Sequence, residues 1–508
     1  MTPDVSTLKE RIRHILNLVI QTENKFADLL QLVQPHYYES ARNLVHYLAL
    51  RTFDLHQIQE ELSTLSISSL SHSEGYTLTN LQNILSLLQL LNGEKITDNH
   101  FRSPFDYRKS KSQLQHNTLE LFGRHHRGEG SRIMVTMPTE AAEDYELIRS
   151  LLLAGMDIAR INTSHDNALS WFRMIANIKK GEQETGKSCL IYMDLSGPKF
   201  RTETVYPVVP EKNYVRLFES DLIYLVREIP PFPETNRIYV SVQLPEIFHD
   251  TKPGERIFFD DGKISGLITE VNPDLIKVKI TEAAVKGSKL RADKGINLPD
   301  SDLSLPSLTE ADLVNLPFIA AHADIIGYSF ARNPKDVEYL QAELKKLNRA
   351  DIGITLKIET EEAFESLPMM LLTAMQSSKV GVMIARGDLA VEIGFERSAE
   401  VQEEILWICE AAHVPGIWAT QVLEKLVRKG NPTRAEVTDA AMAARAECVM
   451  LNKGPFIVEG VKTLDDIIRR MEKHQFKRKG NLRPLSVAKR FLQPQIDNAF
   501  HLPLKSED

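Results

Sequence analysis

Cysteine is scarce in this sequence. Its three copies, Cys189, Cys409 and Cys448, lie far apart with no CxxC pair, which argues against a disulfide framework and a cysteine-built metal site. Two of them fall in apolar, strand-like runs, the usual setting of a buried thiol. Long apolar runs are missing as well. None reaches the ~18 residues of a spanning helix, so no membrane partner is expected. The first twenty residues, "MTPDVSTLKERIRHILNLVI", lack the basic start, apolar block and small-residue cleavage site of a secretory signal. Excess positive charge is absent too. With a net charge of −8, no basic field advertises nucleic acid or anionic lipid. Aromatics are few, but 43% hydrophobic and 26% charged residues are ordinary for a globular chain, and 508 residues suggest two to four domains. A soluble, cytoplasmic protein is the expectation.

What is present is alternation. From Arg132 onward, short β-branched runs alternate with amphipathic helical stretches. The strand candidates begin "RIMVTM" (132), "DIARIN" (157), "SCLIYMDL" (188) and "ADIIGYS" (323). They continue "DIGITLKIE" (351), "VGVMIA" (380), "PGIWAT" (415) and "ECVMLN" (447). Most are followed by a helical pattern, which argues for a parallel sheet, and eight repeats argue for a closed (β/α)8 TIM barrel of the α/β class.

Three other regions surround it. Between the third and fourth strands, residues 204–291 hold runs such as "VRLFESDLIYLV" and "ERIFFDDGKISGLITEV", broken by Pro, Gly and Asp turns. They read as a small β-barrel domain inserted after strand 3. Residues 1–122 read as an all-α domain. A helix-turn-helix DNA reader is disfavoured there, because residues 1–100 hold seven Lys+Arg against eleven Asp+Glu. A packing or interaction module, its protein partner left open, is the better reading. Residues 123–131 are the expected linker, 132–203 and 292–475 the barrel, and 476–508 a polar tail.

Catalytic groups in such barrels sit at the carboxyl ends of strands and in the loops that follow. That rule gathers Arg160, Asn162, Ser164 and His165 after the second strand, and Asp194, Lys199 and Arg201 after the third. Ser329 and Arg332 follow the fourth, Lys357 and Glu359 end the fifth, Arg386 and Asp388 follow the sixth, and Thr420 ends the seventh. Any one of them alone is as well explained as a cap or surface pair. Together, converging on one rim, they suggest a site. Lys357 and Glu359 are two apart in an extended run and therefore share a face. Glu359 and Asp388, on neighbouring strands, can hold one hard divalent ion. Clustered cations beside it would stabilise a phosphoryl group and a developing enolate or alkoxide.

The ordered motifs "ARINTSHD", "DLSGPKFRT", "FDDGKISG", "SFAR", "LKIETEEAF", "IARGDLAVEIG", "WATQVLE" and "NPTRAEVTDAA" resemble the pyruvate kinase family over about residues 132 to 475. The resemblance implies transfer of a phosphoryl group from phosphoenolpyruvate to ADP, giving pyruvate and ATP, with Mg²⁺ or Mn²⁺ on Glu359 and Asp388. It implies that Lys357 stabilises the transferring group and the enolate, that Arg160 grips the phosphate, and that Thr420 helps protonate the enolate. Gly387 and Asp388 would border the substrate, and His165, Arg201, Asp261 and Lys294 the nucleotide. A homo-oligomer is implied as well.

The chain departs from the family pattern in places. "DLSGPKFRT" carries Leu195 and Lys199 where most members have Thr and Glu, which resembles the K⁺-independent branch. Lys199 would replace the ion otherwise held by Asn162, Ser164 and Asp194. "TMPTEA" stands for "TIGPAS", "GDLA" for "GDLG", and the family's carboxyl-terminal domain is not recognisable. Two rival readings follow: a catalytically impaired sensor or scaffold, and a Mg²⁺-dependent pyruvate-enolate lyase. "GEQETGKS" (181–188) matches a phosphate-loop pattern by letter, but it follows a helix and leads into a strand, the reverse of a working loop.

Overall fold

A computed structural model of the chain describes residues 3–95, 105–128, 130–207, 213–244, 246–303, 305–471 and 484–492. All eight expected strands are present: Arg132–Thr136 (β1), Ile158–Asn162 (β2), Leu190–Asp194 (β3), Ile325–Tyr328 (β4), Gly353–Ile358 (β5), Val380–Ala385 (β6), Gly416–Ala419 (β7) and Cys448–Leu451 (β8). They pair in parallel, and β1 bonds to both β2 and β8, closing the barrel. The two-residue period of a strand sorts its side chains. Along β1, Met134 joins the cluster filling the lumen, while Ile133 and Val135 pack with the surrounding helices. Helices start where short polar side chains cap them. Thr309 with Asp312, Asn333 with Asp336 and Thr433 with Glu436 form reciprocal capping boxes.

The insert is one curled seven-stranded sheet with a separate two-stranded ribbon. Its strands run from Thr202–Tyr206 to Ile296–Asn297. The edges approach through an isolated bridge between Arg201 and Gly295, so the sheet turns back on itself at its base. It has its own core, including Leu225, Ile257, Phe259 and Ile276.

The amino-terminal region is helical, with Val5–Lys25, Tyr38–Leu50, His56–Thr64 and Thr77–Leu91 as its main helices among the described residues. Tyr38–Leu50 and His56–Thr64 are parted where Asp54 accepts a hydrogen bond from His56 N at 3.0 Å. A further helix, Tyr107–Phe122, is capped by Asp106 and ended by Gly123 at φ 67°. Its polar sequence hides it from a hydrophobic-period reading.

That helix stops the amino end of the barrel. Leu121 and Phe122 belong to the same buried cluster as the lumen residues Met134, Tyr192, Met383 and Met450. Room for Leu121 comes from glycine. A Cβ on Gly381 would stand 2.5 Å from Leu121 Cδ2 and 2.9 Å from Thr355 Cγ2. Gly381→Ala is therefore expected to cost about 1–3 kcal/mol, as overpacking does, read as a lower urea midpoint. An unchanged midpoint would mean the plug has slack.

Polar stitches add to it. Asn43 Nδ2 donates to Ala411 O at 2.8 Å, Gln34 N to Met375 O at 2.8 Å, and Val380 N to Tyr37 Oη at 3.0 Å. His413, wholly buried, meets Ser40 Oγ at 3.1 Å, Gly75 O at 3.0 Å and Ser110 Oγ at 3.0 Å. These contacts lie just before β6 and β7, so the helical region docks opposite the carboxyl-end mouth.

Two segments differ from expectation. Residues in the expected linker are tied down: His125 is buried and bonded to Asp157 at 2.8 Å. Within the expected polar tail, Ser486–Leu492 is a helix whose Val487, Ala488 and Leu492 are buried, with Phe491 stacked on Phe26 at 4.8 Å. The apolar spacing of "VAKRFL" is what it buries. All three cysteines are free and buried. Among the described residues no helix is long and apolar enough to cross a membrane.

Candidate active site

Lys357 is the penultimate residue of β5 and Glu359 lies just past its end, so the extended backbone sends both side chains to one face. There the Lys357 ammonium donates to Ser329 Oγ at 2.6 Å, and stands 3.0 Å from Glu359 Oε1 and 3.7 Å from Asp194 Oδ1. Only 9% of the lysine side chain is exposed. Glu359 Oε2 accepts the backbone N–H of Phe330 at 2.7 Å, which fixes the carboxylate's orientation.

Neighbouring strands complete the group. From β2, Arg160 Nε donates to Asp194 Oδ2 at 2.7 Å and Nη1 to Thr136 Oγ1 at 2.9 Å. Asp194 ends β3 at 1% exposure, and its Oδ1 accepts no hydrogen bond from the described residues. After β3, Lys199 Nζ donates to Asp388 Oδ1 at 2.5 Å. Three carboxylates and three cations thus share one buried mouth, formally neutral before any ligand arrives.

Their titration reflects that crowding. Burial pushes the Glu359 carboxyl up; Lys357 opposes this and the nearby Asp388 carboxylate adds to it. Burial would raise Asp388 too, but Lys199 outweighs it and holds that carboxyl below its usual range. Lys199 in turn is raised, burial pulling it down and Asp388 more than compensating. The oxygen-only donor set, the orphaned Asp194 Oδ1 and two buried carboxylates raising each other's charging cost all suit a hard divalent cation.

Thr420, after β7, has φ 63°, unusual for a β-branched residue, and its buried Oγ1 has no hydrogen-bond partner among the described residues. It lies beside Gly387, whose Cβ position is 3.6 Å from that oxygen. Arg386, expected on the rim, instead braces this turn. It donates to Ala419 O at 2.9 Å and to Thr420 O, pairs with Asp439 at 2.5 Å, and stacks over Trp418 at 4.7 Å.

The remaining expected residues are distributed around this centre. Asn162 Oδ1 accepts from Ser164 N at 3.1 Å, and Leu195 is fully buried. The Lys199 ammonium donates to Asp388; among the described residues it makes no hydrogen bond to Asn162, Ser164 or Asp194. Arg201 pairs with Asp293 at 3.5 Å and Lys294 with Asp260 at 2.8 Å, both on the insert's side. Asp261 sits in the insert's turn at φ 57°, next to Gly262, whose Cβ position is 3.2 Å from Val391 Cγ2. The turn therefore rests on the helix Arg386–Ile393. His165 is depressed by burial, then by Lys453 and Arg201, which marks a cationic pocket. Arg332 is turned away, its Nη atoms on the carbonyls of Leu303 and Leu305.

Sequence reasoning missed three contributors. Asp312 accepts from Ser196 N at 2.7 Å and Gly197 N at 3.1 Å, shaping the loop that carries Lys199; its capping-box spacing after Thr309 was the available signal. Asn297 donates to Glu392 Oε1 at 3.0 Å, tying the insert's last strand to the helix of Asp388. Burial pushes the Glu392 carboxyl up to about 7, against Asn297 and with Asp388. No sequence signal marks that pair.

A closed (β/α)8 barrel with a β-sheet insert after its third strand, folded over an acid- and cation-lined mouth, is the class that fold and site define. Residues 129–456 match the barrel-domain model of pyruvate kinase, and the chain belongs to the pyruvate kinase family. It is 34% identical over 340 residues to the pyruvate kinase of Bacillus licheniformis, covering 65% of this chain and 55% of that one. Against the Thermotoga maritima pyruvate kinase the figures are 33% over 339 residues, 65% and 69%. A human pyruvate kinase is 34% identical over 346 residues, with 65% and 58% covered. The chain thus spans little more than half the length of most of these relatives.

Proposed function

We propose that this chain catalyses phosphoryl transfer from phosphoenolpyruvate to ADP, giving pyruvate and ATP. The observation that carries this reading is the Lys357 ammonium, buried and held by Ser329, Glu359 and Asp194 at the barrel mouth. A preorganised charge in a dry site stabilises oxygens that gain charge in the transition state. Arg160, clamped by Asp194 and Thr136, keeps N–H groups to offer the phosphate. The first backbone N–H groups of Arg386–Ile393, around Gly387 and Asp388, suit the substrate carboxylate. Thr420 Oγ1, unpaired in its strained turn, passes on the proton that turns the enolate methylene into the methyl of pyruvate. His165, Arg201 and the insert's Asp261 and Lys294 border the nucleotide, the insert acting as lid. Glu359 and Asp388 would hold a Mg²⁺ or Mn²⁺ ion, which supplies charge neutralisation at the transferring group's oxygens.

Lys199 supplies a fixed positive charge that K⁺ gives in other members of the family. A lactate-dehydrogenase-coupled assay with phosphoenolpyruvate, ADP and Mg²⁺ tests both claims. Turnover is expected, and omitting K⁺ is expected to leave it nearly unchanged. A steep K⁺ requirement would refute the role of Lys199. Binding of phosphoenolpyruvate without turnover would instead support a sensor or scaffold.

A further inference from the structure

Far from the mouth, at the amino ends of the strands, the segment entering β1 meets the barrel's last helix, Ile457–Met471. One ring nitrogen each of His125 and His126 and a carboxylate oxygen of Asp465 lie within 4.8 Å of one another. His126 Nε2 stands 3.3 Å from Asp465 Oδ1. Two ligands each about 2.0–2.1 Å from a tetrahedral zinc ion are separated by about 3.3 Å. Asp465 Oδ1 is buried and takes no hydrogen bond of good geometry from the described residues.

Asp157, 3% exposed, organises the histidines from outside. Its Oδ2 lies 2.8 Å from His125 Nδ1. A carboxylate only accepts, so His125 carries its proton on Nδ1 and keeps a lone pair on Nε2, which takes the Arg127 Nε–H at 3.4 Å. A carboxylate behind a histidine in this way is the usual outer support of a metal ligand. Asp157 Oδ1 also accepts the backbone N–H of His126 at 3.0 Å. Gly155 leaves space for the second ring: a Cβ there would be 2.7 Å from His126 Cε1.

We propose that His125, His126 and Asp465 form a structural site for a tetrahedral divalent transition-metal ion such as Zn²⁺, with water in the fourth position. Two imidazoles and one carboxylate favour that class of ion over Mg²⁺ or Ca²⁺. Arg127 reveals how the cluster is balanced without it. Its Nη2 lies 2.9 Å from Asp465 Oδ1 and its Nε donates to His125 Nε2 at 3.4 Å. The guanidinium therefore rests on two of the three ligand atoms and supplies a cation's charge. A quarter of its side chain is exposed, so it can swing outward when an ion enters. The ion would staple the segment before β1 to the last helix, joining the two ends of the barrel.

The test uses the full, untagged chain, stripped with chelator and kept in excess Mg²⁺ so that the Glu359 and Asp388 site is filled. Added Zn²⁺ is expected to stay at about one equivalent after desalting. Co²⁺ in its place should show the intense visible bands of a tetrahedral ion. The melting temperature should climb with free Zn²⁺, because the ion binds the folded chain. His126→Ala and Asp465→Asn, at partly exposed positions, should each lose the ion and the shift, while Arg127→Ala should bind Zn²⁺ more tightly. Retention below about 0.1 equivalent by the wild-type chain, or undiminished retention in both ligand variants, would overturn the site. The cluster would then be an imidazolium clamp, His126 kept protonated up to about 9 by Asp157 and Asp465.

Discussion

Lys357→Ala is expected to lower turnover at least ~10³-fold, the scale of losing a preorganised charge in a water-poor site. The expectation rests on what surrounds the ammonium. Ser329 Oγ at 2.6 Å, Glu359 at 3.0 Å and Asp194 at 3.7 Å hold it in place before substrate arrives. No reorganisation is then needed as charge develops on the substrate's oxygens. Its loss also leaves Glu359 buried without its ion-pair partner, which costs stability in its own right. The coupled assay must therefore be run beside a urea melt, at a temperature where the variant is folded. A folded variant with near-wild-type turnover would remove Lys357 from the chemistry and with it the proposed function. Lys357→Arg separates charge from geometry. The planar guanidinium cannot occupy a point bounded by three oxygens within 3.7 Å, so it too should be strongly impaired.

Much of this site was legible in the sequence because its parts are placed by local rules. β-Branched runs between helical repeats gave all eight strands, and the end of each strand gave the mouth. The two-residue spacing of Lys357 and Glu359 put both on one face, where the structure has them 3.0 Å apart. The rest depended on distant neighbours. That Lys199 meets Asp388 joins residues 189 positions apart, and nothing near either announces it. The Asn297–Glu392 contact and the bracing role of Arg386 are likewise tertiary. The helix Tyr107–Phe122 is mostly polar and lacks a broad apolar stripe. Its apolar anchor is at its end, Leu121 and Phe122 buried in the barrel's base, with Ser110 and Asn117 bonded to His413 along its length. A sequence pattern registers stripes better than plugs.

The docking of the helical region should fail in acid, and His413 is the reason. Burial depresses its imidazole to about 4, only partly offset by Gly75 O and Glu410. Once unfolded, the ring regains an ordinary value near 6.5. Between those values the unfolded chain holds a proton that the folded chain refuses. Stability is therefore complete above about pH 6.5 and falls as pH drops towards 4, by about 2–3 kcal/mol at pH 4.5 from this group alone. The structure shows what the proton would disturb. Nε2 faces both the carbonyl of Gly75 and the hydroxyl of Ser110, Nδ1 faces Ser40, and the three residues come from the helical region. Phe105 also packs edge-on at 5.3 Å. A charged ring there, wholly buried, would meet one carbonyl, two hydroxyls and Glu410. His413→Gln keeps a donor and an acceptor but cannot titrate. Urea midpoints at pH 7 and pH 4.5 should therefore differ less in this variant than in the wild-type chain, by an amount equivalent to about 2–3 kcal/mol. Carboxylates titrating over the same range contribute equally to both proteins and cancel. If the two chains lose stability in parallel, His413 takes up its proton alike in the folded and unfolded chain, and its burial sets no acid limit on the docking of the helical region.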